Sequence, residues 1–269
     1  MARTPNVDTL RLRSVFVSDV HLGYRGACAE SLCEFLSSVR VDYLFLVGDL
    51  VDLWSLKKSF FWPQAHSDVI RKILSKAKDG TKVIYIPGNH DELFREFDGA
   101  VFGNLEIHKE YLHTTADGRR LLLLHGDEFD GAVKCSPWLL KLGVHLYDSL
   151  LWVNHAMNRL RRRLGFAHWS LAATLKNAAK EAVRYMSNFE EAALAVARHR
   201  QVDGIVCGHI HRAALRESEG VLYCNDGDWV ESCTSLIEDM NGSLAIVRWD
   251  ELRQQRSVSL STAATASAA

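Results

Sequence analysis

Seven residues able to bind a metal stand directly behind apolar runs in this chain: Asp19, His21, Asp49, Asn89, His125, His209 and His211. Val15-Phe16-Val17 leads into Ser18-Asp19-Val20-His21, and Tyr43-Leu44-Phe45-Leu46-Val47 leads into Gly48-Asp49-Leu50-Val51-Asp52. Val83-Ile84-Tyr85-Ile86 precedes Pro87-Gly88-Asn89-His90-Asp91. Leu121-Leu122-Leu123-Leu124 precedes His125-Gly126-Asp127, and Ile205-Val206-Cys207 precedes Gly208-His209-Ile210-His211. Carboxylate, amide oxygen and imidazole, with no thiolate, suit octahedral-type divalent ions better than one tetrahedral zinc. One ion cannot use seven protein ligands and keep an open position. Two ions sharing a carboxylate can, and Asp49 is the natural bridge.

A lone histidine or aspartate at a strand end is commonly a loop residue with a satisfied hydrogen bond. Five strand ends finishing this way together call for a shared cause. The apolar runs themselves read as strands buried on both faces, each delivering its ligand at the carboxyl edge. Between them, residues 26–39 read as a helix with Leu32, Phe35, Leu36 and Val39 on one face. A second helix is expected over 67–78, carrying Val69, Ile70, Ile73, Leu74 and Ala77. Strand and helix alternating in this way specify a layered α/β fold. Asp117-Gly118 marks a hairpin turn before the strand that ends on His125. Three further strands are expected after His211. Trp54, Phe60, Phe61 and Trp62 crowd one loop; they read first as core packing and second as a substrate platform.

The length of 269 residues and the 48% hydrophobic content allow a full core. No window reaches the roughly 18 apolar residues of a spanning helix, and Met1-Ala2-Arg3-Thr4-Pro5 opens no signal peptide. The expectation is therefore a cytoplasmic protein, or one held peripherally on the inner membrane. The six cysteines include no C-x-x-C pair and read as free thiols. A net charge of −1 provides no global basic field, which argues against a nucleic-acid partner. The charge is uneven, however. Residues 133–200 hold eleven Lys and Arg against four Asp and Glu, a net +7, and the remainder carries −8.

That basic stretch interrupts the strand ends. Leu139, Leu142, Leu146, Leu150, Val153, Met157 and Leu160 keep helical spacing, and Trp138, Val144, Tyr147, Leu151 and Trp152 add a second apolar face. Arg159, Arg161, Arg162 and Arg163 follow. A helix over 170–186 then presents Lys176, Lys180 and Arg184 at i, i+4 and i+8. Ser187-Asn188-Phe189-Glu190 reads as a capping box that starts a last helix through Ala197. Two readings stand side by side. The helices pack on each other with the arginines as a solvated face, or they form a lid whose groove takes acyl chains. The lid's basic edge would meet an anionic membrane surface. The expected organisation is a core of 1–132 and 201–258, an inserted 133–200, and a disordered Ser/Thr/Ala tail over 259–269.

The order D-x-H, GDxxD, GNHD, HGD, GHxH resembles the calcineurin-like metallophosphoesterase superfamily. Ser18-Asp19-Val20-His21-Leu22-Gly23, His125-Gly126-Asp127-Glu128-Phe129-Asp130 and Asn225-Asp226-Gly227-Asp228-Trp229 are similar to the UDP-2,3-diacylglucosamine pyrophosphatase family and its close paralogues. The resemblance implies a four-layer α-β-β-α sandwich with an inserted helical lid, and two divalent ions. Mn²⁺ is the first choice, with Fe²⁺, Zn²⁺ and Mg²⁺ open. It implies Asp19, His21, Asp49 and His211 on one ion, and Asp49, Asn89, His125 and His209 on the other. His90 would be the general acid, oriented by Asp52. Asp130, Lys176, Lys180 and Arg184 would contact substrate. The implied reaction is hydrolysis of a phosphodiester or pyrophosphate in a phospholipid or nucleotide-lipid, such as UDP-2,3-diacylglucosamine giving UMP and the lipid monophosphate. His90 departs from the arginine that this lipid-pyrophosphatase family carries in G-N-R-D. The departure leaves the diester chemistry intact and strengthens the case for the alternative, a paralogue acting on another phospholipid or on soluble nucleotide diesters. A metal-free scaffold of the same fold would have lost its ligands, whereas all seven are present.

Overall fold

Continuous apolarity, rather than alternation, marks the central strands. The computed structural model describes residues 9–131 and 171–254. Strands β1 (Leu10–Val17), β2 (Val39–Val47) and β3 (Lys82–Ile86) lie parallel, and the last four residues of each are buried. Between them come helices α1 (Ala29–Ser38), α2 (Leu53–Lys58) and α3 (Gln64–Lys78). Short strands β4 (Val101–Phe102), β5 (Leu105–Ile107), β6 (Tyr111–Thr114) and β7 (Arg120–Leu123) follow. Helix α4 spans Leu171–His199. The chain then forms β8 (Gly204–Cys207), β9 (Ala214–Ser218), β10 (Val221–Asn225), β11 (Thr234–Glu238) and β12 (Leu244–Arg248).

Two sheets result. One has seven strands in the order β12-β11-β1-β2-β3-β5-β4, and the other has five in the order β6-β7-β8-β10-β9. Phe16, Phe45, Ile84, Leu121, Leu123, Val206 and Leu236 form a core drawn from both sheets. Leu32 and Phe35 of α1 and Val69 and Ile73 of α3 fill a second core on the seven-stranded sheet. This is the expected mixed α/β sandwich. The hairpin at Asp117-Gly118 joins β6 to β7 with Thr114 opposite Arg120.

The chain divides into two units, Met1–Asp127 with Ala193–Ala269, and Glu128–Ala192. In the second unit, Phe129 meets the ring of Phe189 edge-on at 5.3 Å, and the Tyr185 hydroxyl donates to Asp130 Oδ1 at 2.7 Å. The expected helix over Leu139–Leu160, the run Arg159–Arg163 and the tail over 259–269 lie outside the described residues.

Two local expectations need correction. Val39 does not close α1; it is already extended, at φ −118° and ψ 147°, and opens β2 with no loop between. A β-branched residue resists the helical rotamer and joins the strand instead. The capping box at Ser187 starts no helix, because α4 runs through it unbroken. Neighbouring Ala, Met, Glu and Leu are strong helix formers, and the preceding turns already satisfy the backbone donors a cap would serve. Among the described residues, no helix is long and apolar enough to cross a membrane.

Candidate metal centre

The strand ends are laced to one another before any side chain is considered. Asp19 N donates to Gly48 O at 3.1 Å, and Val20 N and His21 N both donate to Asp49 O, at 3.0 and 2.9 Å. This holds the end of β1 against the end of β2. To turn their side chains to one point, Asp19, His21, Asp49, His209 and His211 all take left-handed backbone, with φ between 50° and 68°. Only eight non-glycine residues among those described have positive φ, and these five are candidate ligands. Such strain persists where the surroundings impose it, characteristically at functional sites. Gly48, at φ +89°, also makes room, since a methyl there would collide with the His125 ring. At Gly208 a methyl would strike Ser18 and Asp19.

The buried side chains then converge. Ligand atoms of Asp19, His21 and His211, of Asp19, Asp49 and His125, and of His21, Asp49 and His90 form three groups within 4.8 Å. His211 Nε2 lies 3.2 Å from Asp19 Oδ1, and His125 Nε2 lies 3.4 Å from Asp49 Oδ2. His21 Nε2 faces His211 Nε2 at 3.3 Å. The His209 ring stands 5.2 Å from that of His125, and its backbone N donates to Asp19 Oδ2 at 2.8 Å. His209 falls outside these three groups of histidine and carboxylate atoms, and Asn89 Oδ1 is buried without a hydrogen-bond partner.

Tautomers decide what this cluster can hold. His125 Nδ1 sits 2.9 Å from Val47 O, so it carries the proton there and turns the Nε2 lone pair toward the Asp49 carboxylate. His125 Nε2, Asp19 Oδ1 and Asn89 Oδ1 are all buried without hydrogen-bond partners. Lone pairs pointed at one another in a dry site need a cation, and a backbone carbonyl on the far ring nitrogen is the usual support of a metal-binding histidine. The donor set therefore fits divalent ions. Without a metal, protons must substitute. Burial disfavours a charged His21, but Asp19, Asp52 and Asp49 outweigh it and raise the ring to about 9. Burial likewise opposes ionised Asp49, yet His125 draws its carboxyl down to about 2.

His90 stands at the rim. Its Nδ1 lies 3.0 Å from Asp52 Oδ1, off the line of a good hydrogen bond, and its Nε2 lies 4.0 Å from Asp49 Oδ2. It therefore reaches closer to the ligand cluster than its place after Asn89 suggests. Asp52 caps α2, accepting from Ser55 N at 2.7 Å and Ser55 Oγ at 2.8 Å, and lies 3.5 Å from His21 Nδ1. Against the effect of burial, His21, His90 and Ser55 hold the Asp52 carboxyl far below the usual range. The aromatic loop splits. Trp54 is half exposed and lies 4.2 Å from the His90 ring, and Phe60 is 80% exposed, so neither is core. Phe61 and Trp62 stand edge-on to the buried His66. Lys180 and Arg184 lie exposed on α4; the side chain of Lys176 is outside the described set, and Asp130 accepts from Tyr185.

Sequence reasoning missed the braces. Asp91, the last residue of GNHD, accepts from Tyr85 Oη and Gly88 N at 2.6 Å and from Val51 N at 3.2 Å. Arg95 joins Pro87 O to Asp127 Oδ1, tying the Asn89 loop to the His125 loop. Ser18 Oγ lies 2.6 Å from both Asp19 Oδ2 and Asp226 Oδ1. Asp91, Ser18 and Asp226 stand inside the quoted motifs and could have been singled out; Arg95 carried no signal.

Comparison with known proteins agrees with this geometry. A UDP-2,3-diacylglucosamine hydrolase of Pectobacterium carotovorum is 24% identical over 214 residues, covering 77% of this chain and 85% of its own. The protein of that name from Haemophilus influenzae is 23% identical, covering 87% of this chain and 98% of its own. Among solved structures, Yfce, a phosphoesterase from E. coli, aligns at a TM-score of 0.42 and 14% identity over 87% of this chain and 98% of its own, too distant to carry weight. The family described as "Calcineurin-like phosphoesterase" matches residues 12–213, a span that includes all seven candidate ligands. The chain belongs to the calcineurin-like phosphoesterases and is a metal-dependent phosphoesterase.

Proposed function

We propose that the chain hydrolyses a phosphodiester or pyrophosphate bond in a lipid-linked substrate of the UDP-2,3-diacylglucosamine class, releasing UMP and the lipid monophosphate. The observation that carries the chemical part is the set of orphaned, buried donor atoms on Asp19, Asn89 and His125. The substrate part rests on the curated relatives, which bear that substrate in their names. Asp19, His21, Asp49 and His211 would hold one ion, and Asp49, Asn89, His125 and His209 the other, with Mn²⁺ preferred for mixed carboxylate and imidazole ligation. Two such ions would supply Lewis-acid polarisation of the phosphoryl oxygens and lower the pKa of a water toward neutrality.

The protein's own groups do the rest. His90 gives a proton to the leaving oxygen, and Asp52 sets the ring's orientation while also supporting His21. Trp54, whose ring centroid lies 4.2 Å from that of His90 at a tilt of 34°, would limit the rotation of the histidine ring. Residues 133–200 would be the insertion that selects acyl substrates, with Lys176, Lys180 and Arg184 as candidate contacts to an anionic headgroup and Asp130 as a further candidate substrate contact. Its basic character suits an anionic membrane surface.

The test is UMP release from UDP-2,3-diacylglucosamine by the Mn²⁺-loaded full chain, alongside soluble nucleotide diesters. Asp49→Ala serves as control. UMP release that disappears in the control is expected. Hydrolysis of the soluble diesters without UMP release from the lipid would move the assignment to a paralogue activity.

A further inference from the structure

Asp226 is fully buried behind the ligand cluster, yet it stands outside the three groups whose atoms converge there. The loop that carries it follows β10 and is fastened to two of the ligand-bearing strand ends. Asp226 N donates to Cys207 O at 3.2 Å, Asn225 Nδ2 donates to Gly208 O at 2.6 Å, and Trp229 N donates to Asp19 O at 3.1 Å. Ser18 Oγ fills the gap between loop and ligand. It lies 2.6 Å from Asp226 Oδ1, 2.6 Å from Asp19 Oδ2 and 3.0 Å from Gly227 O. Gly208 leaves room for this arrangement, since a methyl there would strike both Ser18 Oγ and Asp19 Oδ2.

These distances fix where the protons are. A serine hydroxyl carries one proton, and here two carboxyl oxygens approach it at the spacing of a strong O–H···O bond. One of the two must therefore bring a proton of its own. Asp19 is the acceptor on both sides: its Oδ2 takes a hydrogen bond from His209 N at 2.8 Å, and its Oδ1 faces His211 Nε2 at 3.2 Å. Asp226 has the opposite surroundings. Its Oδ2 is buried with no hydrogen-bond partner, a position that is costly for an ionised carboxylate and tolerable for a neutral acid. Burial, joined by the Asp19 charge and opposed by the Ser18 hydrogen bond, pushes the Asp226 carboxyl well above its usual range.

We infer that Asp226 is a positioning residue of the metal centre: its carboxylic acid donates to Ser18 Oγ, Ser18 donates to Asp19 Oδ2, and Asp19 is left with Oδ1 as its one oxygen for an ion. The inference rests on Asp19 being a metal ligand, as proposed above. Ser18 Oγ and His209 N together occupy Oδ2 and hold the carboxylate plane. The bare Oδ1 then points to the side where His21 and His211 stand. A neutral Asp226 sets the direction of the relay. An ionised one would draw the Ser18 proton to itself, and Asp19 would lose a donor and face a second negative charge. Hydrogen-bond partners placed behind a ligand in this way carry about 10–100-fold in metal affinity.

The experiment titrates the metal-free, full-length protein with Mn²⁺ and reads free Mn²⁺ by electron paramagnetic resonance, with Asp19→Ala as the reference. Asp19→Ala should lose one site. Ser18→Ala and Asp226→Ala should weaken that same site by about 10–100-fold and leave the other unchanged. Asp226→Asn, whose amide N–H can donate to Ser18, should bind like wild type. Undiminished binding in Ser18→Ala and Asp226→Ala, with the site lost in Asp19→Ala, would overturn the relay alone. Undiminished binding in Asp19→Ala would overturn the ligand assignment and the relay with it. A second measurement does not depend on how the alanine variants fold. The infrared spectrum of wild type minus that of Asp226→Asn should contain the C=O stretch of a protonated carboxyl at pH 7, where an exposed aspartate is ionised. Its absence would overturn the inference, as would an Asp226→Asn protein that binds Mn²⁺ as poorly as Asp226→Ala.

Discussion

Two buried polar clusters sit in the same unit and each sets histidine against carboxylate, yet they are built on opposite terms. The first is the ligand cluster of Asp19, His21, Asp49 and His125. Asp19, His21 and Asp49 take left-handed backbone, and Asp19 Oδ1 and His125 Nε2 are left without partners. The second joins the two sheets through Ser14 of β1, His113 of β6 and Glu238 of β11, with Arg13 alongside. All four residues lie in regular strands. Glu238 Oε1 accepts from Arg13 and Ala116 N, each at 2.8 Å, and Oε2 accepts from His113 Nε2 at 2.8 Å and from Ser14 Oγ. A satisfied network specifies architecture, whereas a strained one with orphaned acceptors awaits a charge from outside. The distinction between function and framework thus lies in hydrogen-bond completeness and backbone strain, not in composition.

The largest expected effect separates the clusters outright. Asp49→Ala should lower kcat/KM by at least about 10³-fold, the scale of losing one charge-stabilising group in a dry site. Bound metal, measured by elemental analysis, should fall with it. The metal-free variant should melt only a few degrees below metal-free wild type, because the attraction to His125 and His21 that it loses is opposed by the cost of burying the Asp49 charge. A large drop in melting temperature would show that Asp49 is framework too, and would break the comparison.

Within the ligand cluster, His90 tests whether the rim residue does chemistry or only positions substrate. His90→Ala should cost about 10²–10⁴-fold on alkyl leaving groups and little on nitrophenyl ones, which depart without a proton. Asp52→Asn should follow the same trend more weakly. The measurement is kcat/KM against leaving-group pKa. Parallel lines for wild type and variants would remove the acid role and leave His90 as a positioning residue.

The first cluster was legible in the sequence and the second was not, for a physical reason. Metal ligands must come from several strand ends, and a strand buried on both faces announces its end by the break from apolar to polar, as at Val47-Gly48-Asp49. The strands carrying Asp19, Asp49, Asn89, His125 and His209 could therefore be read one at a time. Glu238 ends an ordinary strand, and His113 alternates with exposed neighbours, so each looks like a solvent-facing residue until the sheets are stacked. Pairing across about 125 residues of sequence leaves no local trace. The unbroken α4 was hidden differently, since Ser187-Asn188-Phe189-Glu190 satisfies a capping pattern that the continuing helix does not use. Nor does spacing show that Asp19 and His21 need left-handed backbone, which neither residue type advertises.

The smallest effect belongs to Glu238, and its pH dependence identifies it as framework. Burial opposes its charge, but His113, Ser14, Arg13 and the Ala116 amide hold the carboxyl near 2, against an ordinary 4.5. The folded-state value is depressed, so the stabilisation is fully present above the unfolded value and is lost as pH falls from about 4.5 toward 2. A shift of that size corresponds to about 3 kcal/mol at pH 7. Glu238→Gln keeps the shape but removes the charge and turns an amide N–H toward groups that themselves donate. Urea unfolding should show the variant less stable by about 3 kcal/mol at pH 7, with the gap shrinking by more than half at pH 3. Activity per folded molecule should stay at the wild-type level, since no ligand contacts Glu238. A gap independent of pH would mean that the loss is steric rather than ionic. Lost activity at undiminished stability would mean that the second cluster also serves the reaction.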